Sequence, residues 1–281
     1  MKRFLRNCLL ILLLLVTCAG GYIVWQGHEK AQEITAEVSL EQAAQRAMAA
    51  ADYTPPDRIP ETLKEATVAI EDRRFYEHQG LDIIGLLRAA ASQFLPDMVR
   101  SGGSTIGQQT VKNLYGLFEP TLEIKVAEVF LASQLNDLYT KDEILALYMN
   151  IINYGDGHIG ITNAARGYFG VEPAGLSQSQ CVILAGIPNS PANLQLSNHY
   201  EAARNREQLI LQAMVREEYI SREQADAIWN EPVFLQQSGG AAFFCDIPAD
   251  AGQVDPDFSL QQGLRDGKVS KGTRQAVQWM G

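Results

Sequence analysis

Residues 125–150 read KVAEVFLASQLNDLYTKDEILALYMN, and this stretch decides the fold class. Apolar residues recur three and four positions apart on both sides of Thr140, which is the spacing of one face of an α-helix. Thr140 and Glu143 together form the capping-box pattern that begins a helix. The stretch therefore predicts two consecutive helices, the second beginning after Thr140.

The same helical character extends over most of the chain, up to about Trp229. Two more capping-box patterns are Ser177 with Gln180 and Ser221 with Gln224. Strand-like runs are confined to residues 232–236 and 241–245. We therefore expect a mainly α-helical fold.

Composition narrows the class of protein. The chain has 281 residues, of which 46% are hydrophobic, and 23 basic against 33 acidic residues give a net charge of −10. This length allows one large domain or two small ones. A net negative charge without a basic tract removes the electrostatic attraction on which non-specific nucleic-acid binding depends, so we expect no nucleic-acid partner.

The N-terminus predicts a membrane anchor. Residues 8–25 carry no formal charge, and as a helix they are about 27 Å long, close to the thickness of a bilayer's hydrocarbon core. Basic residues precede this span at Lys2, Arg3 and Arg6, which keeps the N-terminus in the cytoplasm and exports the rest of the chain. A cleaved signal peptide and a lipoprotein signal ending at Cys18 are the open alternatives.

We expect four segments along the chain. Residues 1–27 form the cytoplasmic tip and transmembrane anchor, and residues 28–54, rich in Ala, Glu and Gln, form a helical stalk. Residues 55–247 form the main, mostly helical domain, and residues 248–281 form a tail with little periodicity. Cys181 lies in an apolar run, which predicts a small buried residue rather than a disulfide partner.

Two acidic residues stand out as candidates for chemistry. Glu71 directly follows the apolar run ATVAI, and a half-buried carboxylate at this position can act as a proton acceptor. Glu128 lies among apolar residues with Lys125 one helical turn before it. For both, a structural ion pair at the protein surface is the alternative. Three histidines, which are His78, His158 and His199, lack the spacing of metal ligands and are expected to be structural.

A glycine-rich segment, residues 102–113, offers a third cluster. It reads GGSTIGQQTVKN, in which glycines allow close backbone approach and a lysine follows hydroxyls at a predicted helix start. This arrangement suits phosphate binding but lacks the P-loop spacing. An ordinary loop with a helix N-cap is the alternative.

Five segments taken in order resemble one family. They are EDRRFYEHQGLD, GGSTIGQQTVKN, KVAEVFLASQLNDLYTKDEILALYMN, YGDGHIGITNAARGYFG and LAGIPNSPAN. Together they resemble the peptidoglycan glycosyltransferases of family 51, the domain that class A penicillin-binding proteins share with monofunctional enzymes. No transpeptidase motif set follows them, so the monofunctional type is expected.

The resemblance implies a lysozyme-like, two-lobed helical domain that polymerises lipid II by inverting transfer from an undecaprenyl-pyrophosphate donor. By motif position, Glu71 is implied as the base that deprotonates the acceptor 4-hydroxyl, and Glu128 as a second catalytic residue at the donor pyrophosphate. The implied substrate-binding residues are Ser104, Thr105, Gln108, Gln109, Lys112 and Lys125. The metal site is unknown, and a divalent cation (Mg or Mn) is the only cofactor suggested.

The resemblance also implies partners and a place in the cell. The substrates are lipid II and the growing glycan strand, the domain lies on the periplasmic side of the bacterial inner membrane, and other cell-wall synthesis proteins are expected partners. Ile124 stands where the family has an arginine, which predicts a pyrophosphate site short of one cation. Two alternatives stay open: a lysozyme-like lytic enzyme, which needs no pyrophosphate site, and a membrane-anchored scaffold with weakened activity.

Overall fold

A computed structural model describes residues 2–92, 103–236 and 242–244 of the chain. The α-helices within those residues are α1 (Lys2–Thr35), α2 (Leu40–Met48), α3 (Glu61–Glu71), α4 (Ile83–Ser92), α5 (Ile106–Tyr115), α6 (Leu122–Leu138), α7 (Lys141–Ile151), α8 (Ile161–Phe169), α9 (Gln178–Gly186), α10 (Pro191–Leu194), α11 (Leu196–Arg216) and α12 (Arg222–Trp229). Short 3-10 helices lie at Pro56–Arg58, Pro173–Gly175 and Ile187–Asn189.

The prediction of a mainly α-helical fold is confirmed. All three predicted capping boxes are present, at the starts of α7, α9 and α12. The two strand-like runs form β1 (Phe234–Gln236) and β2 (Ala242–Phe244), an antiparallel pair in which Leu235 is opposite Phe243. The predicted tail, residues 248–281, and the end of the predicted main domain lie outside the described residues.

Helix α1 is one unbroken helix that joins the predicted anchor to the folded body. It is the one helix among the described residues that is long and apolar enough to cross a membrane, with a mean hydropathy of 2.4. Its C-terminal third packs against α6, where the His28 ring meets the edge of Phe130 with centroids 5.1 Å apart. A Cβ placed on Gly27 would overlap Val126, so the two helices approach closely because residue 27 has no side chain.

Residues 28–54, which we expected to form a helical stalk, contribute buried residues to the helical body. Ala31, Leu40 and Ala44 are each less than 5% exposed and belong to the main core. Their alanines are buried because small side chains let α1 and α2 lie close to α6 and α7. The scarcity of large apolar residues in this segment therefore reflects close contact between helices and not exposure to solvent.

The helical body contains two sets of helices whose buried side chains belong to one core. In the first set α3, α9 and α11 are in mutual contact, and in the second α5 packs against α6 and α7. Both sets contribute to one apolar core, which includes Cys181 at 1% exposure, as predicted. The C-terminal end of α3, the middle and last turns of α5 and the N-terminal part of α6 meet between the sets, and the candidate site lies there.

Candidate active site

A pocket of about 250 Å³ lies where α3, α5, α6 and the 3-10 helix at Ile187–Asn189 come together. Its lining residues are Glu71, Ser104, Gln109, Lys112, Lys125, Glu128, Pro188 and Asn189. The three clusters that the sequence singled out are thus brought into one cavity. Both candidate glutamates and both candidate lysines line it.

Glu71 is the last residue of α3, and one of its carboxylate oxygens has no partner in the described part of the chain. Its Oε2 accepts a hydrogen bond from Gln109 Nε2 at 2.9 Å. Its Oε1 is buried and accepts none. Because a buried acceptor without a donor is costly, Oε1 is suited to accept a proton or hydrogen bond from a bound hydroxyl group.

Glu128 is 1% exposed and lies one helical turn after Lys125 on α6. Lys125 Nζ donates to Glu128 Oε2 at 2.7 Å, while Oε1 is buried without a partner among the described residues. The side chain of Lys125 is 45% exposed, so the ammonium group reaches both the buried carboxylate and the open pocket. The predicted pairing of these two residues is present, but at the pocket wall rather than on a solvated face.

Lys112 supplies a second positive charge from the last turn of α5. Its Nζ lies 5.5 Å from the centre of the Phe118 ring, and in the described part of the chain no carboxylate is within ion-pair distance of it. A lysine whose charge is not neutralised by the protein can bind an anionic group of a ligand. Lys112 and Lys125 thus make the pocket suitable for phosphate.

Thr105 and Gln108, which were expected to bind substrate, lie at the start of α5 outside the pocket. Thr105 caps α5, where its Oγ1 accepts from the Gln108 backbone N–H at 3.2 Å and donates to Gly80 O at 2.7 Å. Gln108 Oε1 in turn accepts from the Thr105 N–H at 2.8 Å. Both residues are buried, and neither lines the pocket. Their polar groups complete the helix cap, which was the alternative interpretation of this segment.

A buried carboxylate ties the loop after Glu71 to the start of α5. Asp72 accepts from His78 Nε2 at 2.9 Å and from the Ile106 backbone N–H at 3.0 Å. His78 Nδ1 accepts from the Gly80 N–H, so both ring nitrogens of His78 are used within the protein. This confirms the structural role predicted for His78. The same contacts hold Glu71 and Gln109 in a fixed relation across the pocket.

Gly80 allows this loop to pass close to α6. Its φ is +98°, and a Cβ there would lie 2.7 Å from the backbone nitrogen of Ser133. A larger residue would be strained in conformation and would displace α6, because backbone atoms cannot move aside as a flexible side chain can. The glycine in EDRRFYEHQG is therefore required by close packing.

Four residues at or near the site were not assigned a role from the sequence. Pro188 and Asn189 line the pocket from the segment LAGIPNSPAN, which carried the resemblance without a role for either side chain. Tyr148 on α7 is buried, and its hydroxyl donates to Gln109 Oε1 at 3.4 Å. Arg206 on α11 has a buried Nε without a partner among the described residues. Burial lowers the pKa of Arg206, and the nearby carboxylate of Glu71 opposes that shift.

Ile124 does not take the place of a pocket cation. It is 7% exposed, lies in the first turn of α6 and is not among the residues that line the pocket. The residue at position 124 is therefore buried beside the site and does not face the pocket. An arginine at this position would have to bury its charge or disturb the packing of α6.

The described residues hold no preformed cage of ligands for a divalent cation. No group of three His, Cys, Asp or Glu side chains able to hold a metal occurs within residues 2–92, 103–236 and 242–244. Mg²⁺ is usually bound through one or two carboxylates together with water and substrate phosphates, and the pocket offers two carboxylates, one of them paired with Lys125. A need for Mg or Mn stays a prediction, and we derive no step through a metal.

Comparison with known proteins finds similarity to transglycosylases and to penicillin-binding proteins. The family model described as Transglycosylase matches residues 30–215. A Cupriavidus necator protein named "Putative transglycosylase" is 43% identical over 66% of this chain and 80% of its own length. Penicillin-binding protein 1A of Aquifex aeolicus and that of Vibrio cholerae are each 38% identical, over 68% and 65% of this chain.

The chain spans about a quarter of the length of those two penicillin-binding proteins, 26% and 22% respectively. Among solved structures, penicillin-binding protein 1A from Haemophilus influenzae matches 47% of this chain and 17% of its own, with 26% identity and a TM-score of 0.33. The matched region of the chain, residues 30–215, contains all of the pocket residues.

Proposed function

The chain belongs to the transglycosylase family, and from this we propose that it is a peptidoglycan glycosyltransferase that polymerises lipid II into glycan strands for the bacterial cell wall. The observation that carries the proposal is the pocket in which two glutamates, each with one buried carboxylate oxygen that lacks a partner among the described residues, meet two lysines. Acids and cations in one cavity match a transfer that moves a proton and releases a pyrophosphate.

Glu71 is the proposed base. Its unpartnered Oε1 accepts the proton of the 4-hydroxyl of the acceptor GlcNAc while that oxygen attacks the anomeric carbon of the donor. The new bond forms on the face opposite the leaving group, so the configuration at the anomeric carbon is inverted. The bond from that carbon to the pyrophosphate oxygen breaks, and the electron pair leaves with the undecaprenyl pyrophosphate.

Lys112 and Lys125 are proposed to stabilise that leaving group. Negative charge accumulates on the pyrophosphate as the bond breaks, and a fixed ammonium group in the pocket lowers the energy of that state. Glu128 holds Lys125 at the pocket wall through the 2.7 Å ion pair. Ser104 and Asn189 line the same cavity, which supports a role for them in contacting the sugar or phosphate groups.

We also propose that α1 anchors the protein in the inner membrane with the catalytic domain on the periplasmic side. The basic residues before the span and its apolar length support this orientation. A periplasm-active reporter fused after residue 236 should be active, and a mature N-terminus near Cys18 or Ala19 would replace the anchor with a processed form.

One assay separates the proposed polymerase from the two alternatives. The purified full chain in detergent is incubated either with labelled lipid II or with preformed labelled glycan strands. A polymerase converts lipid II into long strands and leaves the strands intact, whereas a lytic enzyme shortens the strands. A scaffold does neither. Conversion of strands without use of lipid II, or no conversion of either, would contradict the proposal.

A further inference from the structure

A chain of two hydrogen bonds links the buried Tyr148 to Glu71. The Tyr148 hydroxyl donates to Gln109 Oε1 at 3.4 Å, and Gln109 Nε2 donates to Glu71 Oε2 at 2.9 Å. These residues come from α7, α5 and α3, three helices of the core. Tyr148 has no exposed surface and does not line the pocket, so it can act on a bound substrate only through its neighbours.

The direction of these hydrogen bonds is fixed by chemistry. An ionised carboxylate only accepts hydrogen bonds, so Gln109 must turn its NH₂ group toward Glu71. Its carbonyl oxygen then faces Tyr148, which must donate. Burial raises the pKa of Tyr148 well above its ordinary value, and the hydroxyl therefore keeps its proton at physiological pH. With the amide held in this sense, Glu71 Oε2 is occupied and Oε1 is left for the reaction.

We propose that Tyr148 is a positioning residue that orients the base Glu71 through the amide of Gln109. Glu71 is the last residue of α3, so no following helical turn restrains its side chain. The amide of Gln109 supplies that restraint, and Tyr148 prevents the amide from rotating by half a turn. This inference rests on the proposed function, because it concerns the group that deprotonates the acceptor.

The inference assigns Gln109 a different role from the phosphate contact implied by the resemblance. A residue that binds substrate equally in the ground and transition states changes KM, whereas one that holds the base in a productive geometry changes kcat. Small misplacement of a catalytic group is enough to slow a reaction substantially. Gln109→Met should therefore lower kcat with KM changed less than twofold. A raised KM with unchanged kcat would return Gln109 to substrate binding and overturn the inference.

Tyr148→Phe removes only the hydroxyl and should lower kcat by about tenfold with little change in KM. The matched control is Tyr168→Phe, which removes another buried hydroxyl, one that donates to the Tyr154 carbonyl at 2.8 Å. The control should lose stability and keep the wild-type kcat. If the two variants have equal kcat values, Tyr148 has no positioning role.

A double-mutant cycle separates positioning from a general structural effect. In the Gln109→Met background Tyr148→Phe should cause no further loss of kcat, because the group through which it acts is gone. Multiplying effects would overturn the inference. Glu71→Gln in the same assay keeps the two proposals apart: an active Glu71→Gln removes the base assignment itself, whereas an inactive Glu71→Gln beside a fully active Tyr148→Phe removes only the role of Tyr148.

Discussion

Removing Lys125 should destabilise the protein more than removing the charge of its partner Glu128. Glu128 is 1% exposed and Lys125 is 45% exposed. In Lys125→Met the carboxylate stays buried, with Oε1 already lacking a partner and Oε2 now losing its own. In Glu128→Gln the remaining lysine is free to turn into water. Lys125→Met should therefore lose more of the free energy of unfolding than Glu128→Gln.

The magnitude follows from this asymmetry. Breaking a fully buried ion pair by removing one partner costs about 3–5 kcal/mol of the free energy of unfolding. Water reaches this pair from the lysine side, so we expect about 1–3 kcal/mol for Lys125→Met and under about 1 kcal/mol for Glu128→Gln. In a domain of this size each kcal/mol shifts Tm by about 2–4 °C. Lys125→Met should thus melt about 2–12 °C below wild type.

Thermal unfolding of the full chain in detergent, followed by near-UV circular dichroism, measures these shifts. The matched control is Lys30→Met, which breaks a pair of the same spacing and order in which Glu33 is 69% exposed, and which should change Tm by only 1–2 °C, about the effect of a surface pair. Adding Glu128→Gln to Lys125→Met should recover most of the lost stability but not the polymerase activity. Equal Tm losses in the two single variants would refute the reasoning.

Three further predictions concern packing, capping and thiol chemistry. Gly27→Val should lower Tm, because overpacking against Val126 costs about 1–3 kcal/mol of the free energy of unfolding. Gly21→Val, on a part of the same helix with nothing within 4 Å, should leave Tm unchanged. Equal Tm values for the two variants would contradict the close helix contact. Thr105→Ala should cost about 1–2 kcal/mol of the free energy of unfolding in a denaturant titration, because it removes the cap of α5, and Thr105→Ser should restore most of it. Burial raises the pKa of Cys181 to about 12, so iodoacetamide at pH 8 should leave it unmodified in the folded protein and alkylate it after unfolding, as peptide mass spectrometry would show.

Local sequence signals predicted the helices well. Three capping boxes were placed correctly because the hydroxyl and the carboxyl or amide group that form them lie three residues apart in the chain. The same chemistry misdirected the interpretation of Thr105, since a hydroxyl beside glycines suits a helix cap and a phosphate site equally. Only the three-dimensional contact with Gly80 shows that this hydroxyl is already used.

Contacts between distant segments set the limit of what the sequence could predict. The pairing of Lys125 with Glu128 follows from helical spacing. The approach of Gln109 to Glu71 spans 38 residues, and that of Tyr148 to Gln109 spans 39. Nothing local distinguishes Tyr148 from another core aromatic residue, so its place behind the base could be found only from the packing of α7 on α5.

The measurement that tests the central claim most directly is the rate of lipid II polymerisation by Glu71→Gln beside wild type, with Tm measured for both. The amide keeps the shape of the side chain but cannot accept the proton of the acceptor hydroxyl. We predict a loss of activity to a few per cent of wild type or less, with a Tm within a few degrees of the wild-type value. A folded Glu71→Gln that retains substantial polymerisation would contradict the claim that Glu71 is the base in this pocket.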